Sequence, residues 1–384
     1  MSLLLARLEA KLAQRRKHQE LRVLPGLFAG GLQVGDFVSN DYLGFARSPE
    51  LHAALRAALA AEPEGSLGAT GSRLLSGNSQ RIMALETELA RLYKAEAGLL
   101  FNSGYALNSG LFAALAERGD ALILDERAHV SLKNGARLSP AAVYYFRHND
   151  CEHLREKLER LQGKVQQLFI VVESIYSMDG DLAPLRKLVE LAEEFAAALI
   201  VDEAHGIGTI GPRGEGLVVA LGLEQRVFAR VHTFGKALGV QGAVVLGAPL
   251  LRESLLNFCH SFIYTTAMPG FQVLAIALAH QHFQKGGQED YSRLQENRQV
   301  LVRALNGGEQ PSPIFSLRFA SREILQQVWS ELSAANLAVM AILSPTVRRG
   351  EERLRIIVHS FNSREEIEHL GAIVGQRSNR CTFL

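Results

Sequence analysis

Short apolar runs recur along the middle of the chain, separated by stretches whose apolar residues fall at every third or fourth position. Residues 98–101, 121–124, 143–146, 168–172, 198–201, 231–234 and 243–246 read as strands, and 107–115, 154–161 and 182–196 as helices. In 182–196, Leu185, Leu188, Ala192 and Phe195 share one helical face. The strands are apolar on both alternating faces, which is the pattern of strands covered by helices on either side. Strand and helix in alternation predict a mainly parallel α/β sheet.

The flanks follow other patterns. Residues 3–20 place Leu4, Leu5, Leu8 and Leu12 on one helical face, which calls for a cover, either the protein body or another subunit. A glycine-rich turn region runs from Gly26 to Gly35, and a helix follows Pro49 with Leu51, Leu55 and Leu59. The loop from Gly65 to Gly77 holds too many glycines for a helix interior, and reads either as a connector or as a segment packed close to a ligand. The helix at 82–93 uses Leu85, Leu89 and Leu92. Near Gly286-Gly287 the pattern resets: a helix at 291–305, strands at 317–319, 338–342 and 354–358, and helices at 324–332 and 364–374 form a separate α+β piece. The organisation expected is an N-terminal segment at 1–48, a large domain at 49–286 and a smaller C-terminal domain at 287–384.

Composition narrows the class. The net charge of +1 leaves no electrostatic footprint for nucleic acid. No apolar run approaches the ~18 residues that span a bilayer, so neither membrane nor nucleic acid is an expected partner. Cys151, Cys259 and Cys381 are far apart, with no CxxC pair, which argues for a reducing, cytoplasmic setting without a disulfide framework or a metal site.

Candidate chemistry sits at the ends of the apolar runs. Lys236 follows a strand, between Gly235 and Gly239 and beside Phe234 and Leu238. Apolar surroundings lower a lysine's pKa and leave the neutral amine that a Schiff-base nucleophile needs. The run at 198–201 ends on Asp202, with His205 three residues on. A strand-end aspartate can cap a helix or hold a protonated pyridine nitrogen, keeping that ring an electron sink. His129 follows another strand end, Ser177 another, and Asn102-Ser103-Gly104-Tyr105 joins a strand to a helix start suited to phosphate. Gly206-Ile-Gly208-Thr-Ile-Gly211 matches the dinucleotide fingerprint in letters only. Asp202–His205 precede it and Pro212, Gly214 and Gly216 follow, so no helix opens where the nicotinamide reading needs one.

The ordered set resembles the fold-type I pyridoxal-phosphate (PLP) enzymes, and among them the α-oxoamine synthases. The motifs are Ser39-Asn-Asp-Tyr-Leu-Gly44, Gly71-Ser-Arg73, Ser177-Met-Asp-Gly-Asp181, Asp202-Glu-Ala-His-Gly206, Thr233-Phe-Gly-Lys236 and Arg353-Leu-Arg355. Gly71–Asn78, the length and the Pro345-Thr-Val context look most like the 8-amino-7-oxononanoate synthases within that group. The resemblance implies a seven-stranded, mainly parallel sheet with a smaller C-terminal domain, a homodimer with its active site at the subunit interface, and PLP as cofactor. It implies condensation of an amino acid with an acyl-CoA or acyl-carrier protein, with loss of CO2. Lys236 would carry the cofactor, Asp202 would meet the pyridine nitrogen, His205 and Ser177 the ring oxygen, and His129 would stack on the ring. Ser103, Gly104, Tyr105 and Thr233 would hold the phosphate, with Thr265 or Thr266 reaching in from a second subunit. Asn40 and Arg355 would meet the amino-acid carboxylate and Arg22 the acyl end. Arg348 stands where many relatives carry proline, and Ala243 where many have a second glycine. Sibling activities are those of 2-amino-3-ketobutyrate ligase and 5-aminolevulinate synthase, and a non-catalytic partner subunit of this fold would not need the intact Lys236.

Overall fold

A computed structural model describes residues 2–18, 21, 22, 24, 35–61, 67–344 and 346–375, and the backbone of 381–383. The expected turn at 26–34, the loop start Gly65-Ser66 and Pro345 lie outside the described residues.

Seven strands form the central sheet, in the spatial order Ala97–Phe101, Ala243–Gly247, Ala229–Thr233, Ala198–Asp202, Leu168–Glu173, Ala121–Asp125 and Ala142–Phe146. Ala243–Gly247 runs antiparallel to both neighbours, and the other strand pairs are parallel. Alternation along each strand feeds two cores. Leu122, Leu124, Val171 and Ile200 pack on one face and Ile123, Ile170, Val172 and Val201 on the other. Both faces are therefore dry, which is why the runs look continuously apolar in sequence.

The helix Val130–Leu138 was not legible in the sequence, because Ser131, Asn134 and Gly135 dilute its apolar period. Gly135 has a packing reason. A Cβ there would lie 1.9 Å from the Asn108 carbonyl oxygen, so its absence lets this helix close on the helix Gly104–Leu115. The expected helix at 182–196 is shorter, Leu185–Glu194, because Pro184 sets its start. The expected strand at 338–342 splits: Leu337–Ala338 pairs in parallel with Gly35–Asp36, and Met340–Ile342 pairs antiparallel with Arg353–Ile357. The antiparallel C-terminal sheet runs Met340–Ile342, Arg353–Ile357, Ile314–Phe319, Cys381–Phe383. Gly286 ends the helix Gly270–Lys285 and opens the helix Gly287–Ala304, where the pattern reset.

The N-terminal helix Leu3–Lys17 buries none of its residues, with Leu4, Leu5, Leu8 and Leu12 all exposed. Among the described residues nothing of this chain covers that apolar face. No helix among the described residues is long and apolar enough to cross a membrane.

A partly buried ion cluster ties down the loop that carries Asp181. His148 Nδ1 lies 3.0 Å from Asp125 Oδ1 and its Nε2 2.7 Å from Asp181 Oδ2. Burial alone would lower the imidazole pKa, but the hydrogen bonds to the two aspartates outweigh it and push the value up to about 9. Asp125 is wholly buried. His148→Ala should destabilise the fold by about 3 kcal/mol, because one partner of a buried pair is left uncompensated. A raised folded-state pKa means the stabilisation is fully present below the ordinary histidine value and is lost as pH rises through about 9. Chemical denaturation at pH 6 and pH 10 should show the wild-type advantage over the variant shrinking at the higher pH.

Candidate active site

The strand ends converge. Glu173, Asp202 and Thr233 are the last residues of three neighbouring strands, Glu173 and Asp202 in direct register. His129 and Ser103 follow two further strands and start the helices Val130–Leu138 and Gly104–Leu115. Together with Lys236 they line one cavity of about 500 Å3 at the carboxyl ends of the parallel strands, the position where open α/β sheets bind ligands.

Hydrogen bonds lock its floor. Asp202 Oδ2 accepts from Asn108 Nδ2 at 2.8 Å and Oδ1 from the Ala204 amide at 2.9 Å. No helix starts there, so the helix-cap reading of Asp202 fails. Asn108 Nδ2 also donates to Ser131 Oγ at 3.0 Å, and Ser131 Oγ lies 2.8 Å from His129 Nδ1. Glu173 Oε1 accepts the His129 amide proton at 2.5 Å. Burial, reinforced by the neighbouring Asp202 charge, pushes the Glu173 carboxyl up to about 8. A second full charge beside Asp202 is thereby disfavoured.

Burial lowers the Lys236 pKa, against the pull of Asp202 and Glu173. His205 is buried, and burial with the nearby Lys236 and Arg355 charges drives its pKa well below the ordinary value. Its Nδ1 lies 2.6 Å from the Tyr42 hydroxyl, and burial raises the pKa of that phenol. A neutral phenol giving its proton to Nδ1 leaves the imidazole N–H on Nε2, as a donor. Tyr42 also lies 3.3 Å from Asn40 Oδ1, which accepts from Arg355 Nη2 at 3.2 Å.

These residues meet the demands of PLP on their own terms. Ser103 Oγ takes the Ala106 amide at 3.2 Å, while Gly104 and Tyr105 line the cavity with amides that have no partner among the described residues. Thr233 Oγ1 is buried and makes no hydrogen bond. A hydroxyl left so beside a helix start suits a phosphate. A Cβ on Gly104 would lie 2.3 Å from Thr233 Cγ2. Gly104→Ala should therefore push Thr233 aside and weaken cofactor binding about tenfold or more. Titrating the apo-protein with PLP and following its absorbance checks this.

Not every expected residue reaches the cavity. Ser177 does not line it; its carbonyl accepts from Arg355 Nε at 2.7 Å, and so orients the guanidinium. Arg355 is held just behind Asn40. Thr265 borders a separate small cavity, and the Thr266 carbonyl accepts from Asn102 Nδ2 at 2.8 Å. Arg22 is exposed, with Nη2 3.5 Å from Thr346 Oγ1. Four contributors were missed: Glu173, Asn108, Ser131 and Tyr42. Glu173 carried the same signal as Asp202, an acid closing an apolar run. The glycine-rich segment from Gly206 runs in turns up to the four-residue helix Leu217–Ala220, as the rejection of a dinucleotide site required.

Aminotransferase class I and II matches residues 33–373. The chain belongs to that family. An 8-amino-7-oxononanoate synthase of Emericella nidulans is 39% identical over 95% of this chain and 92% of its own. Aminoacyl transferase sphA of Aspergillus fumigatus is 36% identical over 90% and 81%. A high-resolution structure of SPT with PLP superposes with a TM-score of 0.87 at 27% identity, covering 99% of each chain. The α-oxoamine synthase resemblance and the fold-type I architecture both stand. The protein is a PLP-dependent transferase.

Proposed function

We propose that this enzyme joins an amino acid to an acyl thioester with loss of CO2, and that L-alanine and a pimeloyl thioester are its substrates, giving 8-amino-7-oxononanoate for biotin synthesis. The observation that carries the proposal is the coincidence in one cavity of a lysine with a lowered pKa, a buried strand-end aspartate and Asn40, which accepts a hydrogen bond from Arg355. The likeness to 8-amino-7-oxononanoate synthases supports the substrates.

Bound PLP would be held through Lys236, Asp202, His205, His129 and the Ser103–Tyr105 turn with Thr233, and it supplies an electron sink for charge developing at the amino acid Cα. The residues of the chain do the rest. Arg355, aimed by its bond to the Ser177 carbonyl, and Asn40 bind the substrate carboxylate. Lys236, whose pKa burial lowers, takes the Cα proton and later returns one. Asp202, fixed by Asn108 and Ala204, presents a carboxylate to the pyridine nitrogen. Neutral His205 offers an N–H to the ring oxygen, and Ser177 stands on the loop beside it. The imidazole of His129 is oriented by Ser131 at Nδ1 and by Glu173 at its amide. Arg22 would meet the acyl end.

The active unit is a homodimer in this reading. Leu75 and Tyr264 are 83% and 79% exposed, and Tyr264 directly precedes Thr265 and Thr266. Apolar residues of that size in solvent favour a covering partner, and Thr265 or Thr266 would then complete the partner's phosphate site.

A panel of amino acids against acyl-CoAs, scored by thiol release, tests the assignment. L-alanine with pimeloyl-CoA should give the highest kcat/KM. A preference for glycine with acetyl- or succinyl-CoA would move the enzyme to the sibling activities. Serine with long acyl chains would move it toward the SPT-like branch.

A further inference from the structure

A second cavity, of about 320 Å3, shares the helix Val130–Leu138 with the first, which Ser131 lines. The helix that His129 opens lines it one turn on, through Lys133, and the loop that holds Arg355 through the Ser177 carbonyl lines it through Tyr176, Met178 and Asp179. Its far wall is the segment Thr346–Arg348.

Its charges divide into two sets. Arg127 and Arg353 are both bound to Asp179, and Glu351 faces Arg318 at 3.8 Å. Each of those groups has an ion-pair partner, with the two arginines sharing one carboxylate. Lys133 Nζ donates to the Glu126 carbonyl oxygen at 2.6 Å but has no ion pair among the described residues. The Arg348 guanidinium likewise has none, and it is exposed to the cavity. Arg22 reaches the rim, on Thr346. Glu126 lines the cavity beside Lys133, without a direct ion pair, and accepts the His148 amide at 3.4 Å. Arg348 and Arg22 are thus cations without an ion pair among the described residues, while Lys133 stands near the Asp125, Glu173 and Glu126 carboxylates, one helical turn from His129.

We propose that this cavity receives the acyl thioester, and that Arg348, seconded by Lys133 and Arg22, binds an anionic group the thioester carries away from its reacting carbon. This rests on the acyl-transfer reading above. Arginine suits the task, because its planar fork pairs with carboxylate and phosphate alike. The anion is either a carboxylate at the far end of the acyl chain or a phosphate on the thiol carrier.

Three thioesters separate these sources in the holoenzyme: pimeloyl-CoA, heptanoyl-CoA and the pimeloyl ester of N-acetylcysteamine, which lacks phosphate. Arg348→Gln should raise KM about tenfold wherever the recognised anion is present, the loss of one charge-assisted hydrogen bond, with kcat unchanged. A rise on both pimeloyl esters and not on heptanoyl-CoA identifies the carboxylate. A rise on both CoA esters and not on the cysteamine ester identifies the phosphate. Arg348→Lys should restore most of the affinity. Identical KM values for wild type and variant on all three esters, or an equal rise on all three, would overturn the proposal. If wild-type enzyme turns over none of the three with any amino acid, the acyl-transfer reading fails instead.

Discussion

Lys236→Ala should abolish turnover, by about ten-thousandfold, the upper range for losing a positioned acid–base group, while the protein stays folded. The Lys236 ammonium makes no hydrogen bond to protein among the described residues, and burial already lowers its pKa. Removing it strands no hydrogen-bond partner and takes one charge from beside Asp202 and Glu173, so the melting temperature should change little. Borohydride reduction of wild type loaded with PLP should fix the cofactor on the peptide containing Lys236. The variant should give no reduced adduct. An adduct on another lysine in wild type would show that the anchor was misplaced.

Asp202→Asn should cost on the order of 10²–10³ in kcat, the scale of one preorganised electrostatic contact in a dry site. The substitution keeps the volume and removes the charge. The new amide would point a donor at Asn108 Nδ2, but Asn108 Oδ1 has no hydrogen-bond partner and can turn to accept it. The fold should therefore lose only about 1 kcal/mol. The split matters: a purely structural Asp202 would show lost stability with retained turnover, and the reverse is expected. Near-wild-type kcat in a well-folded variant would end the assignment of Asp202 to the ring nitrogen.

Much of this site was legible because it hangs on the sheet. Buried strands betray themselves as apolar runs, and their ends are where Asp202, His129, Thr233 and Lys236 were sought. Glu173 was within reach by the same rule, but its effect depends on lying in register with Asp202, and register is a property of the folded sheet. Asn108 and Ser131 were out of reach. They meet only because Gly135 lets two helices close together, and the same glycine weakened the helix that carries Ser131. Tyr42 lies 163 positions from His205 in sequence. Ser177 was found by motif, yet it lends its carbonyl rather than its hydroxyl, a choice of backbone over side chain that composition does not reveal. The exposed leucines of Leu3–Lys17 show the limit from the other side. Their period reads a helix correctly and leaves its cover unnamed.

The central claim is that one cavity couples acyl transfer to decarboxylation. Incubating the holoenzyme with carboxyl-labelled L-alanine and pimeloyl-CoA, and counting labelled CO2 against released thiol, tests it directly. The account predicts one CO2 for each thiol, with both lost in Lys236→Ala. Thiol release without CO2, or conversion of alanine to its keto acid without thiol release, would contradict it.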